Sequence, residues 1–111
     1  MPILNADYSN LNHEEMASEI GLKSKHIPML IDSFINESDS IMQQLKDAIQ
    51  AQDFASIKMH AHSIKGSAGN LKFTEVYEMA KEMEFAAADS NADFDYESYY
   101  DAVNSAIKTI K

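Results

Sequence analysis

The residues with most chemical potential are four histidines, and two of them, His60 and His62, stand two apart in the middle of the chain. Imidazole changes charge near neutral pH and can act as base, nucleophile or metal ligand. His62 has unusual company, since Lys58, Lys65 and Lys72 lie around it while Asp53 is the one acid between residues 53 and 72. That stretch sums to +2 in a chain of net charge −9, which leaves −11 for the rest. A basic island centred on a histidine suits contact with phosphate or an acidic pocket, although three lysines could also simply solvate a helix face. His60 and His62 do not form a metal pair on a helix, because at about 100° per residue they project roughly 160° apart. His60 therefore reads as a partly buried structural residue, and His13 and His26, near helix ends, as capping or solvated.

The element that must position His62 is a helix opened by Asp53 as N-cap. Its apolar stripe is Phe54, Ile57, Ala61, Ile64, Ala68 and Leu71, and that stripe centres roughly 140° from His62, so the imidazole faces solvent at mid-helix. Ala55, Lys58, Gly66 and Gly69 share its face, with Lys65, read as exposed, one turn on. Each glycine inside a helix costs about 1 kcal/mol relative to alanine, so Gly66 and Gly69 call for a reason such as the close approach of another macromolecule. The plain alternative is that residues 65–70 (KGSAGN) form a loop with Gly66 as a left-handed cap. Ala68 and Leu71 keep the stripe in phase, which favours a helix to about residue 70.

The remaining elements are helical as well. Asn12 followed by Glu15 opens a short helix at about 13–20, and Gly21 stops it. Ile27, Ile31, Phe34, Ser38, Ile41, Leu45 and Ala48 line a second helix over about 26–51, with Pro28 near its start. Val76, Met79, Ala80, Met83 and Ala87 mark a fourth helix beginning at Thr74, and residues 89–93 a polar break. Tyr96, Tyr99, Val103, Ala106 or Ile107, and Ile110 mark a fifth helix, beginning near Asp95. Methionines and aromatics, Phe73 and Phe85 included, are read as core in preference to a docking patch. The expected fold is all-α: one domain over 1–111, an antiparallel up-and-down four-helix bundle at 24–111 with an accessory helix within 1–23.

Composition narrows the function. With 111 residues, 45% hydrophobic and 24% charged, the chain suits one compact core. Every base is lysine and the balance is acidic, which argues against a nucleic-acid partner. Cysteine is absent, so thiolate zinc sites and cysteine nucleophiles are excluded. No glutamate is followed three residues later by histidine, as di-iron bundles require, and there is no glycine-rich phosphate loop. No apolar run approaches the roughly 20 residues of a membrane helix, and no export signal is visible at the start, so the expectation is a cytoplasmic location with no membrane contact.

The run His62-Ser63-Ile64-Lys65-Gly66-Ser67-Ala68-Gly69-Asn70-Leu71 resembles the signature of histidine phosphotransfer (HPt) domains, His-x-x-Lys-Gly-Ser-Ala-x-Asn-Leu. It departs at Lys72, where that family often has glycine. The resemblance covers most of residues 22–111 and implies a phosphorelay carrier, not an enzyme. His62 would take a phosphoryl group from a receiver aspartate or a histidine kinase and pass it to another receiver. Lys65 would steady phosphoryl charge, and Lys58, Gly66, Ser67, Gly69 and Asn70 would dock the partner. The partner would bring the aspartate and a divalent metal, so the chain needs no cofactor and no metal ligands, and it is expected to act as a monomer. Neutral imidazole suits the task, having a lone pair that attacks phosphorus without a separate base. The rival from another class is an acidic helical adaptor whose histidine is incidental.

Overall fold

A computed structural model describes residues 6–110. Five α-helices follow one another: α1 (His13–Ile20), α2 (Ile27–Ala51), α3 (Phe54–Asn70), α4 (Thr74–Ala88) and α5 (Tyr96–Lys108), with a 3₁₀ turn at Ser24–His26 leading into α2. No strand occurs among the described residues. At 1.5 Å per residue the 25 residues of α2 reach roughly 38 Å, nearly the full 42 Å length of the molecule.

The N-termini are set by side chains. Asn12, Asp53 and Asp95 each accept a hydrogen bond from the backbone N–H three residues on, at Glu15, Ser56 and Ser98. Serine hydroxyls at 56 and 98 donate to the same aspartates, and these bonds hold both carboxyls below their ordinary pKa. Phe73, the N-cap of α4, has no such side chain. Tyr8, on the segment before α1, supplies the acceptor from outside: its hydroxyl takes the Val76 N–H at 3.4 Å and donates to Glu75 Oε1 at 2.9 Å. Burial and then the Glu75 carboxylate push the Tyr8 phenol well up.

The C-termini are unusual. After α2, α3 and α4 the chain turns through Gln52, Lys72 and Ser90, all at positive φ (54°, 63° and 52°). At the end of α3, the Phe73 N–H bonds Ala68 O and the Lys72 N–H bonds Gly69 O, the paired closure that glycine ordinarily serves. Lys72 stands where the HPt signature often has glycine; it takes up this turn and bears the strain. Two of the chain's three glycines, 66 and 69, lie instead inside α3.

In the core, α3 packs on α2 and α4, and α5 on α2 and α4, while α1 rests on α2 and the 3₁₀ turn. Ile57, Ala61, Ile64 and Ala68 are buried, so α3 keeps its expected stripe inward. In α2 the stripe drifts: Met42 is buried and Ile41 only half-buried, because a straight helix repeats every 3.6 residues and outruns a strict 4-3 pattern. Phe73 is buried between the rings of Tyr8 and Phe34, as the sequence suggested. Phe85 corrects the core reading, being 54% exposed, because its position on α4 lies opposite the buried row of Met79, Met83 and Ala86. Met29 and Met59 are likewise exposed.

Candidate functional site

α3 runs as one helix from Phe54 to Asn70, so residues 65–70 are helical and the loop alternative is overturned. Gly66 has no positive φ, and a Cβ built on it meets nothing within 4 Å. α3 and α4 form a tight hairpin. His62 meets Glu84 and Gly69 meets Tyr77, so one residue number rises as the other falls and the two helices run antiparallel.

His62 lies on the outer face of α3 with 65% of its side chain exposed. Its Nδ1 stands 2.9 Å from Glu84 Oε2. Lys65 Nζ stands 2.7 Å from the other oxygen, Oε1, as an ion pair. Glu84 is only 11% exposed, since it sits on α4 in the row of the buried Ala80 and Ala87. Burial works to raise its pKa, but the Lys65 ammonium and then His62 outweigh it and hold the carboxyl below its usual range. Glu84 is thus ionised near neutral pH and can only accept, so the His62 Nδ1–H must donate. In the neutral ring that tautomer leaves the lone pair on Nε2.

Sequence reasoning missed Glu84. A signal existed, an acid at i+4 from Ala80 and i−3 from Ala87 in an apolar row, but nothing linked it to α3 before the hairpin register was known. Lys65 also differs from its reading as an exposed lysine. Only 19% of its side chain is exposed, because Glu84 draws it across the α3–α4 seam.

The other expected site residues separate. Lys58 and Gly66 are exposed beside His62. Gly69 has a reason inside the fold: a Cβ there would stand 3.2 Å from the Tyr77 ring. Ser67 turns toward α2, where its hydroxyl donates to Glu37 Oε1 at 3.3 Å, and with the exposed Asn70 it borders a groove of about 330 Å³ shared with Leu22, Leu30 and Leu71. His60 is half-buried on the opposite side of α3, in a recess with Asp47, Asp53 and Ser56. No group of three His, Cys, Asp or Glu side chains among the described residues could hold a metal ion. No helix among them is long and apolar enough to cross a membrane.

Comparison with known proteins adds one finding. No match is found among curated proteins or among solved structures. A family model described as the Hpt domain matches residues 29–109, which include α3, α4 and the whole His62–Lys65–Glu84 cluster. With nearly three quarters of its length matched, the chain belongs to the Hpt domain family.

Proposed function

We infer that this chain works as Hpt domains do in general, as a phosphocarrier of two-component signalling that exchanges phosphoryl groups with receiver domains or histidine kinases. We propose that this chain is a phosphorelay intermediate in which His62 is the acceptor and Nε2 its nucleophilic atom, on an antiparallel up-and-down bundle. The observation that carries the reading is an exposed imidazole whose Nδ1 is tied to an ionised, largely buried carboxylate.

The chemistry follows from that arrangement. The Nε2 lone pair attacks the phosphorus of a receiver's aspartyl phosphate; the N–P bond forms, the P–O bond breaks, and the aspartate leaves as carboxylate. Positive charge then appears on the ring, and the Glu84 carboxylate, 2.9 Å from Nδ1, stabilises it in place. In the return step a receiver aspartate oxygen attacks the phosphorus, the O–P bond forms as the N–P bond breaks, and the ring leaves as neutral imidazole, because Nδ1 has kept its proton. By fixing the Nδ1–H tautomer, Glu84 frees the Nε2 lone pair for the forward step and keeps a neutral leaving ring available for the return step. Lys65 neutralises Glu84 and holds it on the seam, with its ammonium one turn from the phosphoryl position.

Gly66 leaves the ground beside the imidazole flat for a receiver's loops, Lys58 adds positive charge toward an acidic pocket, Ser67 and Asn70 continue the docking face toward α2, and Gly69 keeps it low on the α4 side, where Tyr77 packs. The receiver contributes the aspartate and its divalent metal. Mixing the protein with purified, phosphorylated receiver domains tests the proposal: acid-labile phosphate should appear on the wild type and on His60→Gln, and be absent from His62→Gln. Labelling of the His62 variant would overturn it.

A further inference from the structure

Four large apolar side chains are about half exposed or more among the described residues: Leu22, Met29, Met59 and Phe85. Two of them bracket the imidazole. Met59, 56% exposed, precedes His62 by three residues on α3, about 60° around the helix. Phe85, 54% exposed, follows Glu84, the residue in contact with His62, on α4. Because α3 and α4 run antiparallel, both lie toward the same end of the hairpin from His62.

The ground around them is small and level. Ala55 and Ala88 are exposed and Gly66 is open, so the thioether and the ring stand out from a low surface. Lys81 lies over the Phe85 ring, its Nζ 5.7 Å from the centroid, and adds to the charge of Lys58. The fold gains little from leaving an aromatic ring half in water, whereas aromatic side chains set among near-neutral neighbours dominate binding energies, and methionine adapts to varied partners.

We propose that Phe85, with Met59 as its weaker companion, is an apolar anchor that seats the receiver domain over His62 and sets which receivers exchange phosphoryl groups with this chain. The inference rests on the acceptor reading of His62. Transfer requires the aspartate to reach bonding distance of Nε2, and an interface at the lower bound for a specific contact, about 1,000 Å² in total, covers roughly 500 Å² per partner. A patch of that size centred on the imidazole includes the helical turn on which Phe85 lies. The lysines match the acidic, metal-holding pocket such a partner must present.

The test uses the whole protein and two phosphodonors, phosphoramidate and a panel of purified receiver domains phosphorylated with acetyl phosphate. Phe85→Ala should melt close to wild type and be labelled by phosphoramidate at the wild-type rate. Its half-saturating concentration for the preferred receiver should rise about tenfold while the saturated transfer rate holds. Phe85→Tyr should keep most of the affinity, and Met59→Ala should weaken it less than Phe85→Ala. An unchanged half-saturation for Phe85→Ala overturns the anchor and leaves the acceptor assignment intact. If phosphoramidate labels His62 but no receiver exchanges with it, the receiver is not the occupant and the proposal falls. Failure of every donor to label His62 overturns the acceptor reading itself. Loss of self-association in Phe85→Ala, with transfer unchanged, would assign the patch to a second copy of this chain and overturn the proposal.

Discussion

Replacing Lys65 by methionine keeps most of the side chain's volume and removes its charge, leaving the Glu84 carboxylate, 11% exposed, with only the His62 N–H. Breaking a fully buried ion pair costs about 3–5 kcal/mol, and an exposed one about 0–1. With Lys65 19% exposed, this pair lies between those limits, and a loss of about 2 kcal/mol is expected at pH 7. For a chain of this size that corresponds to roughly 8 °C in melting temperature. The assay is a double-mutant cycle, with Glu84→Gln alone and with Lys65→Met combined with Glu84→Gln. Removing both charges should cost clearly less than the sum of the single losses. The pH dependence has a definite sign. Glu84 has a depressed pKa in the folded wild type, so its contribution is present above the unfolded carboxylate pKa and is lost as pH falls through the folded value. The penalty of Lys65→Met should therefore be largest near neutrality and shrink in acid, where a protonated Glu84 no longer needs the ammonium. A loss under about 0.5 kcal/mol at pH 7, or single losses that simply add, would refute the claim that Lys65 and Glu84 hold one another.

The two helical glycines should respond in opposite ways. Gly66→Ala, open and without positive φ, should stabilise the fold by up to about 1 kcal/mol, while Gly69→Ala, pressed against Tyr77 at 3.2 Å, should gain nothing or lose stability in the same melting curves. Gly66→Gln should fold yet lose receiver binding in titrations, since its side chain stands beside the imidazole. Lys72→Gly should raise stability by about 0.5–1 kcal/mol, because glycine relieves the strain at φ 63° and Lys72→Ala does not; equal melting of the two variants would refute the strain. Tyr8→Phe removes the acceptor for Val76 N–H and the bond to Glu75, and denaturant unfolding should show a loss of about 1 kcal/mol.

Most of the site's frame could be read before the fold was known, and the reasons are local. Asn12, Asp53 and Asp95 announce helix starts because capping depends on a side chain three residues from its donor. The exposure of His62 follows from the phase of one stripe. Helix ends at Gln52, Lys72 and Ser90 carry no such mark, since these residues adopt the left-handed turn that glycine usually signals. The converse holds at Gly66, a residue suited to a cap that lies inside a helix instead, and a local rule broken in that way points to function. What stayed hidden was long-range. Glu84 lies 22 residues from His62, Tyr8 lies 68 from Val76, and Phe85 became distinct from the core only when the facing of α4 was fixed.

In the proposed relay, Nε2 of His62 carries the phosphoryl group while Nδ1 keeps its proton for Glu84. A phosphorus-correlated ¹⁵N NMR spectrum of the protein, labelled on histidine nitrogens and phosphorylated by a receiver domain, tests it directly. The expected result is phosphorus coupling to one nitrogen only, Nε2 of His62, with Nδ1 still protonated and the His60 signals unmoved. Coupling to Nδ1 of His62, or to either nitrogen of His60, would rule out Nε2 of His62 as the phosphorylated atom.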